Sequence, residues 1–88
     1  MTATQRALAR HALGLQGSHA KSYRNHFVTG PGCIDHAEWI SMVEAGEARH
    51  KAGSPISGGN DIFWLTTKGA KLAIRDGECL DAEDFPDA

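Results

Sequence analysis

Glycine-rich breaks divide this chain into short segments, and they limit it to a fold of small helices and strands. The breaks fall at residues 14–17, 30–32, 46, 53–60 and 77. No segment between them holds the run of about 18 apolar residues that a membrane-spanning helix needs. A chain of 88 residues buries only about 60 to 65 per cent of its unfolded surface, so we expect one small domain and no large catalytic architecture.

The first segment predicts a helix over residues 3–15, because apolar residues recur along it at helical spacing. Thr2 and Gln5 have the spacing of a capping box, in which each side chain accepts a hydrogen bond from the other residue's backbone N–H. Gly14 and Gly17 end the apolar pattern. The predicted buried face contains Leu8, Ala12 and Leu15.

The second segment leaves two structures open. A helix over residues 19–27 is favoured by Ser18, which can cap it, and by apolar side chains that fall on one face. A short strand over residues 25–29 fits the same sequence. Gly30-Pro31-Gly32 then forces a turn, whichever of the two forms.

The third segment predicts a helix over residues 35–45. Asp35 is the expected N-cap, and Glu38 three residues later completes a capping box. Ile34, placed before the cap, is expected to contact Trp39 as a hydrophobic staple. Gly46 can adopt the left-handed conformation that ends a helix. The predicted buried face contains Trp39, Met42 and Val43.

Two strands over residues 47–52 and 62–66 predict a hairpin. Residues 53–60 between them are rich in Gly, Ser and Pro and too long for a tight turn, so the hairpin has a long tip. Ile62 and Trp64 alternate with the apolar residues on the other side of the second strand. We therefore expect both faces of this strand to be at least partly covered.

A final helix is expected over residues 67–75, capped by Thr66 and ended by Gly77. It completes a single domain over residues 1–77, and the acidic remainder, residues 78–88, is predicted to be a flexible tail. The predicted core contains Leu8, Ala12, Trp39, Met42, Val43, Phe63, Leu65 and Ala73.

Charge is segregated along the chain although the net charge is only −2. Residues 1–34 contain four basic and no acidic side chains, and residues 76–88 contain six acidic and no basic ones. A basic front suggests an anionic partner, and ordinary surface charge with a frayed terminus explains the same pattern. The N-terminus lacks the apolar stretch of a secretory signal, so a cytoplasmic protein without a membrane partner is expected.

Histidine and cysteine offer one weak metal pattern. Cys33 and His36 have the spacing of half a zinc site, and His26, His50 or Cys79 could complete it. A structural zinc site usually needs a second closely spaced pair, and this sequence has none. A Cys–His nucleophile would also need an orienting group at recognisable spacing. We expect no metal, no cofactor, no small-molecule substrate and no enzymatic activity.

The order of helices, hairpin and final helix resembles a winged helix-turn-helix domain. The resemblance covers residues 42–74 and includes Leu65-Thr66-Thr67-Lys68-Gly69, a Leu-Thr-x-x-Gly junction that opens the last helix. It implies an α+β, winged-helix-like fold with three helices, a two-stranded hairpin with a long wing and a C-terminal helix. Tyr23-Arg24-Asn25-His26-Phe27 and Gly30-Pro31-Gly32 also resemble short uncharacterised proteins of phages and prophages, which implies an origin and no activity.

The winged-helix resemblance implies DNA binding and transcription regulation, but the recognition helix departs from the family pattern. The helix over residues 35–45 contains three acidic side chains and no Lys or Arg, so it would repel phosphates. We expect a phage-type accessory or regulatory protein that contacts DNA phosphates through its basic N-terminal half and wing base. A protein-binding adaptor without nucleic-acid affinity is the alternative. The predicted contact residues are Arg6, Arg10, Lys21, Arg24, Arg49 and Lys51.

Overall fold

The computed structural model describes residues 1–15, 17, 19–53 and 58–88. These residues form an α+β domain with three helices and one antiparallel sheet of three strands in the order β1-β3-β2. The described part of the chain has no helix long and apolar enough to span a membrane. In chain order the elements are α1 (Ala3–Leu13), β1 (Phe27–Thr29), α2 (Ile34–Glu44), β2 (Ala48–Lys51), β3 (Asp61–Leu65) and α3 (Thr67–Ala73).

Helix α1 begins at the predicted capping box. The Gln5 backbone N–H donates to the Thr2 hydroxyl over 3.1 Å, and the Thr2 backbone N–H donates to the Gln5 side chain over 3.0 Å. The helix ends at Leu13, two residues before the predicted end, because Gly14 turns left-handed with a φ of 78°. Gly14 also packs against the Tyr23 ring so closely that a Cβ would clash with it, so the position requires glycine.

The predicted helix over residues 19–27 is wrong, and a strand close to the alternative one forms instead. Strand β1 spans Phe27–Thr29 and pairs with β3. Backbone groups upstream of it bond to distant segments rather than to each other: Ser22 N–H donates to the Cys79 carbonyl over 3.0 Å, and Cys79 N–H donates to the Ala20 carbonyl over 2.9 Å. These long-range bonds outweigh the local preference for a helix.

Helix α2 begins at Ile34, and its N-cap lies two residues before the predicted cap, Asp35, so the predicted cap is wrong. Cys33 occupies the N-cap position, and its backbone N–H donates to the Gly30 carbonyl in the preceding turn. Asp35 therefore lies inside the first turn. Ile34 is 83% exposed, so the predicted staple is wrong as well. The turn after β1, rather than Asp35 and Glu38, sets where this helix begins.

The core lies between the helices and one face of the sheet. Trp39 of α2 is fully buried and stacks on Phe63 of β3, with ring centroids 5.6 Å apart. Phe27 of β1 lies 5.3 Å from the same Trp39 ring. The predicted core residues Leu8 and Val43 are only partly buried. The buried core contains Ala9, Ala12, Leu13, Leu15, Trp39, Met42, Ala48, Phe63, Leu65, Ala70, Ala73 and Phe85.

Helix α3 is fixed at its start by the predicted cap and by a close backbone contact. The Gly69 N–H donates to the Thr66 hydroxyl over 3.2 Å. Gly69 also lies directly against the Glu47 carbonyl, where no Cβ would fit. The helix ends at Ala73, two residues before the predicted end. Part of the predicted long wing, residues 54–57, lies outside the described residues.

The acidic segment, residues 78–88, packs against the rest of the domain. The Phe85 side chain is 3% exposed and belongs to the core. The Asp81 N–H donates to the buried Ser22 hydroxyl over 2.8 Å, and Lys21 forms a parallel β-bridge with Cys79. In the structure this segment, predicted as a tail, contributes to the same core as residues 1–77.

Candidate nucleic-acid interface

Arg10, one of the six predicted contact residues, is fully engaged inside the domain. Its guanidinium forms a bidentate pair with Glu78, with N–O distances of 2.5 and 2.6 Å. It also donates to the Ala73 and Leu15 carbonyls over 3.0 and 3.3 Å. Hydrogen bonding to Arg10 lowers the pKa of Glu78 to about 2. Arg10 therefore holds the C-terminal segment in place and is not available to a phosphate.

Arg6 contacts α3, and Lys21 pairs with the acidic C-terminal segment. The Arg6 Nε donates to the Leu72 carbonyl over 3.3 Å, which places its side chain between α1 and α3. Lys21 is exposed beside Cys79, at the start of the acidic segment. The structure therefore does not bring Arg6, Arg10 and Lys21 together with the cations of the hairpin.

Arg24 lies at the free edge of β1. Its Nε and Nη2 donate to the His11 carbonyl over 3.2 and 2.8 Å, and its guanidinium carbon lies 5.6 Å from the centre of the Tyr23 ring. Together with His26 and Val28 it lines a shallow pocket of about 220 Å³. This arrangement fixes a positive charge at one edge of the sheet.

Arg49 and Lys51 lie on the opposite edge strand, β2, with their side chains on the same face of the sheet. Alternation along a strand sets this arrangement, because residues two apart point to one side. Arg49 pairs across the strands with Trp64, and Lys51 pairs with Ile62. Ile62 in turn pairs with Val28 of β1. We call this surface the open sheet face; it contains Val28, Arg49, Lys51, Ile62 and Trp64.

The open sheet face is apolar along β1 and β3 and basic along its β2 edge. Val28 is 48% exposed and Ile62 is 37% exposed, while Trp64 is half-buried. Within the residues that the structure describes, Arg49 and Lys51 form no ion pair. The expectation that both faces of β3 are at least partly covered is confirmed, since Trp64 is half-buried and Ile62 is 37% exposed. Basic groups and an accessible indole thus lie side by side.

A groove runs from this face around β2 to the end of α2. It has a volume of about 500 Å³, within the range of about 300 to 1,000 Å³ that small ligands occupy in proteins. Arg49 and Trp64 line it on the sheet side, and Val43 lines it on the helix side. The remaining lining residues are Gly46, Ala48, His50 and Thr66.

The carboxylate of Asp61, the first residue of β3, is turned to the core side of the sheet. Asp61 accepts hydrogen bonds from the Gly53 backbone N–H over 2.7 Å and bonds to the His36 ring over 2.7 Å. The bond with His36, followed by the bond from Gly53, lowers the pKa of Asp61. The carboxylate is thereby held between α2 and the wing base, and the open sheet face keeps its positive charge.

Within the part of the chain that the structure describes, Cys33 and His36 do not belong to a group of metal-binding side chains. Cys33 and Cys79 are exposed free thiols, and His36 bonds to Asp61. Among residues 1–15, 17, 19–53 and 58–88 there is no group of three or more His, Cys, Asp or Glu side chains that could hold a metal ion. The open sheet face itself presents two cations, Arg49 and Lys51, and the aromatic ring of Trp64.

Comparison with known proteins adds no relative: no family model, curated protein or solved structure matches the chain. The winged-helix and phage resemblances stay predictions from the sequence. The open sheet face was only partly foreseeable, because Arg49 and Lys51 were predicted as contacts but Trp64 was not. The signal that could have found it is the alternation of Ile62 and Trp64 along one strand of a hairpin whose other strand carries Arg49 and Lys51 at the same spacing.

Proposed function

We propose that the protein is a small non-enzymatic DNA-binding module of winged-helix-like layout. In this proposal Arg49 and Lys51, at the base of the wing, contact phosphates. The observation that carries it is their shared exposed face, on which neither charge is neutralised by an ion pair within the described residues. Phosphate contacts from Lys and Arg supply most of the affinity of sequence-independent nucleic-acid binding.

The topology supports the winged-helix part of the proposal. A helix, α2, precedes the hairpin of β2 and β3, and β1 adds a third strand on the far side of β3. This order is compatible with a winged helix in which residues 53–60 are the wing. Among the described residues only two helices precede the hairpin, one fewer than the winged-helix resemblance implies.

The proposed contact set is smaller than the one predicted from the sequence. Arg49 and Lys51 form its centre, and Arg24 adds a third cation at the β1 edge. Arg10 leaves the set because Glu78 neutralises it, and Arg6 and Lys21 lie elsewhere. A phage-type accessory or regulatory role in the cytoplasm is part of the proposal and rests on the sequence resemblance alone.

A protein-binding adaptor is the second candidate, and the exposure of Val28 and Ile62 favours it. Apolar side chains are normal on a surface when scattered, but these two lie side by side across β1 and β3. A protein partner would cover them and use the flanking cations only for orientation. The adaptor predicts no affinity for nucleic acid, so one binding experiment separates the two functions.

The experiment is a titration of fluorescently labelled DNA with the protein, followed by anisotropy at several salt concentrations. The variant Arg49→Ala with Lys51→Ala should bind more weakly and lower the slope of log affinity against log salt by up to about two, since each lost phosphate contact removes about 0.7 to 0.9. Lys71→Ala with Arg75→Ala is the matched control, because it removes the same charge from around α3. An equal loss in both double variants would refute the assigned surface, and no binding at low salt would refute DNA binding.

A further inference from the structure

Resting on the proposed function, we propose that the open sheet face binds single-stranded nucleic acid, with a base stacked on Trp64 and phosphates held by Arg49 and Lys51. Proteins that bind single strands combine a positively charged groove with aromatic side chains on which bases stack. Each of these elements is present on β2 and β3.

The register brings the indole and the cations within reach of one nucleotide. Arg49 lies directly opposite Trp64, and opposed residues in an antiparallel pair have Cβ atoms about 4.5 to 5.5 Å apart. Lys51 lies two residues further along the same strand, about 6.8 Å away. A base on the Trp64 ring therefore has a guanidinium beside it and a second cation one step along the backbone.

The groove beside Trp64 leaves room for the stacked base. It extends from Trp64 past Arg49 to Val43 at the end of α2, with a volume of about 500 Å³. The groove is open at the surface and lined by both apolar and polar groups, so a flat base can enter while its phosphate stays at the basic rim. The apolar Ile62 and Val28 continue the platform toward β1.

A duplex fits this surface poorly. The bases of a duplex are stacked inside it and cannot reach Trp64. The phosphates of a duplex on this face would also lie over Val28 and Ile62, which offer no hydrogen bonds. Helix α2, the element that could enter a major groove, contains Asp35, Glu38 and Glu44 and no Lys or Arg. The charge pattern thus favours a flexible single strand whose bases turn toward the protein.

Tryptophan fluorescence reports this site selectively. The chain has two tryptophans, and Trp39 is fully buried in the core. Trp64, which is half-buried on the open sheet face, is therefore the tryptophan that a bound base can quench. The Trp39 signal serves as an internal check that a variant keeps its fold.

The test compares the parent protein with Trp64→Leu and Trp64→Phe. Leucine keeps apolar bulk at the site but has no aromatic face, whereas phenylalanine keeps a stacking surface. The probes are oligothymidylate, a DNA duplex of the same length, and heparin, a polyanion without bases. Binding is measured by anisotropy or competition for all variants, and by fluorescence quenching for the parent.

We expect oligothymidylate to bind the parent more tightly than the duplex and to quench its fluorescence. Trp64→Leu should weaken oligothymidylate binding about 5- to 150-fold, the range of stacking energies per base, and leave heparin binding within about twofold. Trp64→Phe should restore most of the affinity. The difference between the two probes separates stacking from a general structural effect.

Two outcomes overturn the inference and leave the proposed function standing: duplex binding as tight as oligothymidylate binding, or oligothymidylate binding that is salt-dependent but unchanged in Trp64→Leu. If Trp64→Leu lacks the emission of a buried Trp39, the variant is misfolded. The test then depends on whether oligothymidylate quenches the fluorescence of the parent protein. An unquenched parent saturated with oligothymidylate contradicts stacking. Absence of binding to both nucleic acids refutes the proposed function itself.

Discussion

Replacing Phe85 by alanine tests whether the acidic C-terminal segment is part of the folded domain. The Phe85 side chain is 3% exposed and packs in the same core as Trp39 and Leu13. Truncation of a buried phenylalanine to alanine costs about 3 to 5 kcal/mol, the transfer free energy plus that of the remaining cavity. A domain of this size has a total stability of about 4 to 13 kcal/mol. The variant should therefore lose about a quarter or more of its free energy of unfolding.

Thermal and urea unfolding, followed by circular dichroism, measure this loss. The melting temperature should fall by about 12 to 40 °C, since 1 kcal/mol corresponds to about 4 to 8 °C in a domain of this length. Asp87→Ala is the control, because it alters an exposed residue of the same segment and should melt like the parent. A Phe85→Ala protein as stable as Asp87→Ala would refute the packing and support a free tail.

Two further predictions concern contacts that fix the fold. The pair of Glu78 with Arg10 lowers the pKa of Glu78 to about 2, so its contribution to stability is complete above the unfolded pKa of about 4.5 and is lost as pH falls toward 2. Glu78→Gln should therefore reduce the fall of the urea midpoint between these pH values. Part of the fall should remain, because the pKa of Asp61 is also lowered. A fully retained acid dependence would contradict the pair. Gly69→Ala should strongly destabilise the protein because its methyl group would collide with the Glu47 carbonyl, and a normal melting temperature would show that α3 is not so close to β2.

Local signals predicted some elements of the fold and failed at others of the same kind. Thr2 and Gln5 form the capping box that their spacing predicts, and Thr66 caps α3 as expected. Asp35 and Glu38 have the same spacing, but the N-cap of α2 is Cys33, two residues earlier, whose N–H bonds back to the preceding turn. Spacing alone does not show how the preceding turn is closed.

Contacts between distant parts of the chain account for the larger errors. The segment over residues 19–27 has a helical pattern, but its backbone pairs near Cys79 and its Asn25 side chain bonds to both backbone groups of Leu65. Arg10 reads as a free cation in the sequence because its partner, Glu78, lies 68 residues away. Phe85 stands among acidic residues, so no periodicity indicates its burial. Pairings of this kind cannot be read from neighbouring residues.

The sequence predicts the cations of the candidate site but not the residues that lie opposite them. Arg49 and Lys51 are separated by one residue, so a strand places them on one face, and the sequence indicates both strands of the hairpin. Which residues lie opposite them depends on the register of β2 with β3, and the long connection leaves that register open. The structure supplies the pairing of Arg49 with Trp64, which turns two cations into a surface with an aromatic centre.

Titration of the ¹⁵N-labelled protein with oligothymidylate, followed by amide and indole chemical shifts, tests the central claim most directly. If the open sheet face binds nucleic acid, the largest shifts fall on the Trp64 indole N–H and on the amides of Arg49 and Lys51, while the buried Trp39 indole moves little. Shifts centred on Lys71 of α3, or a spectrum that does not change at low salt, would contradict the claim.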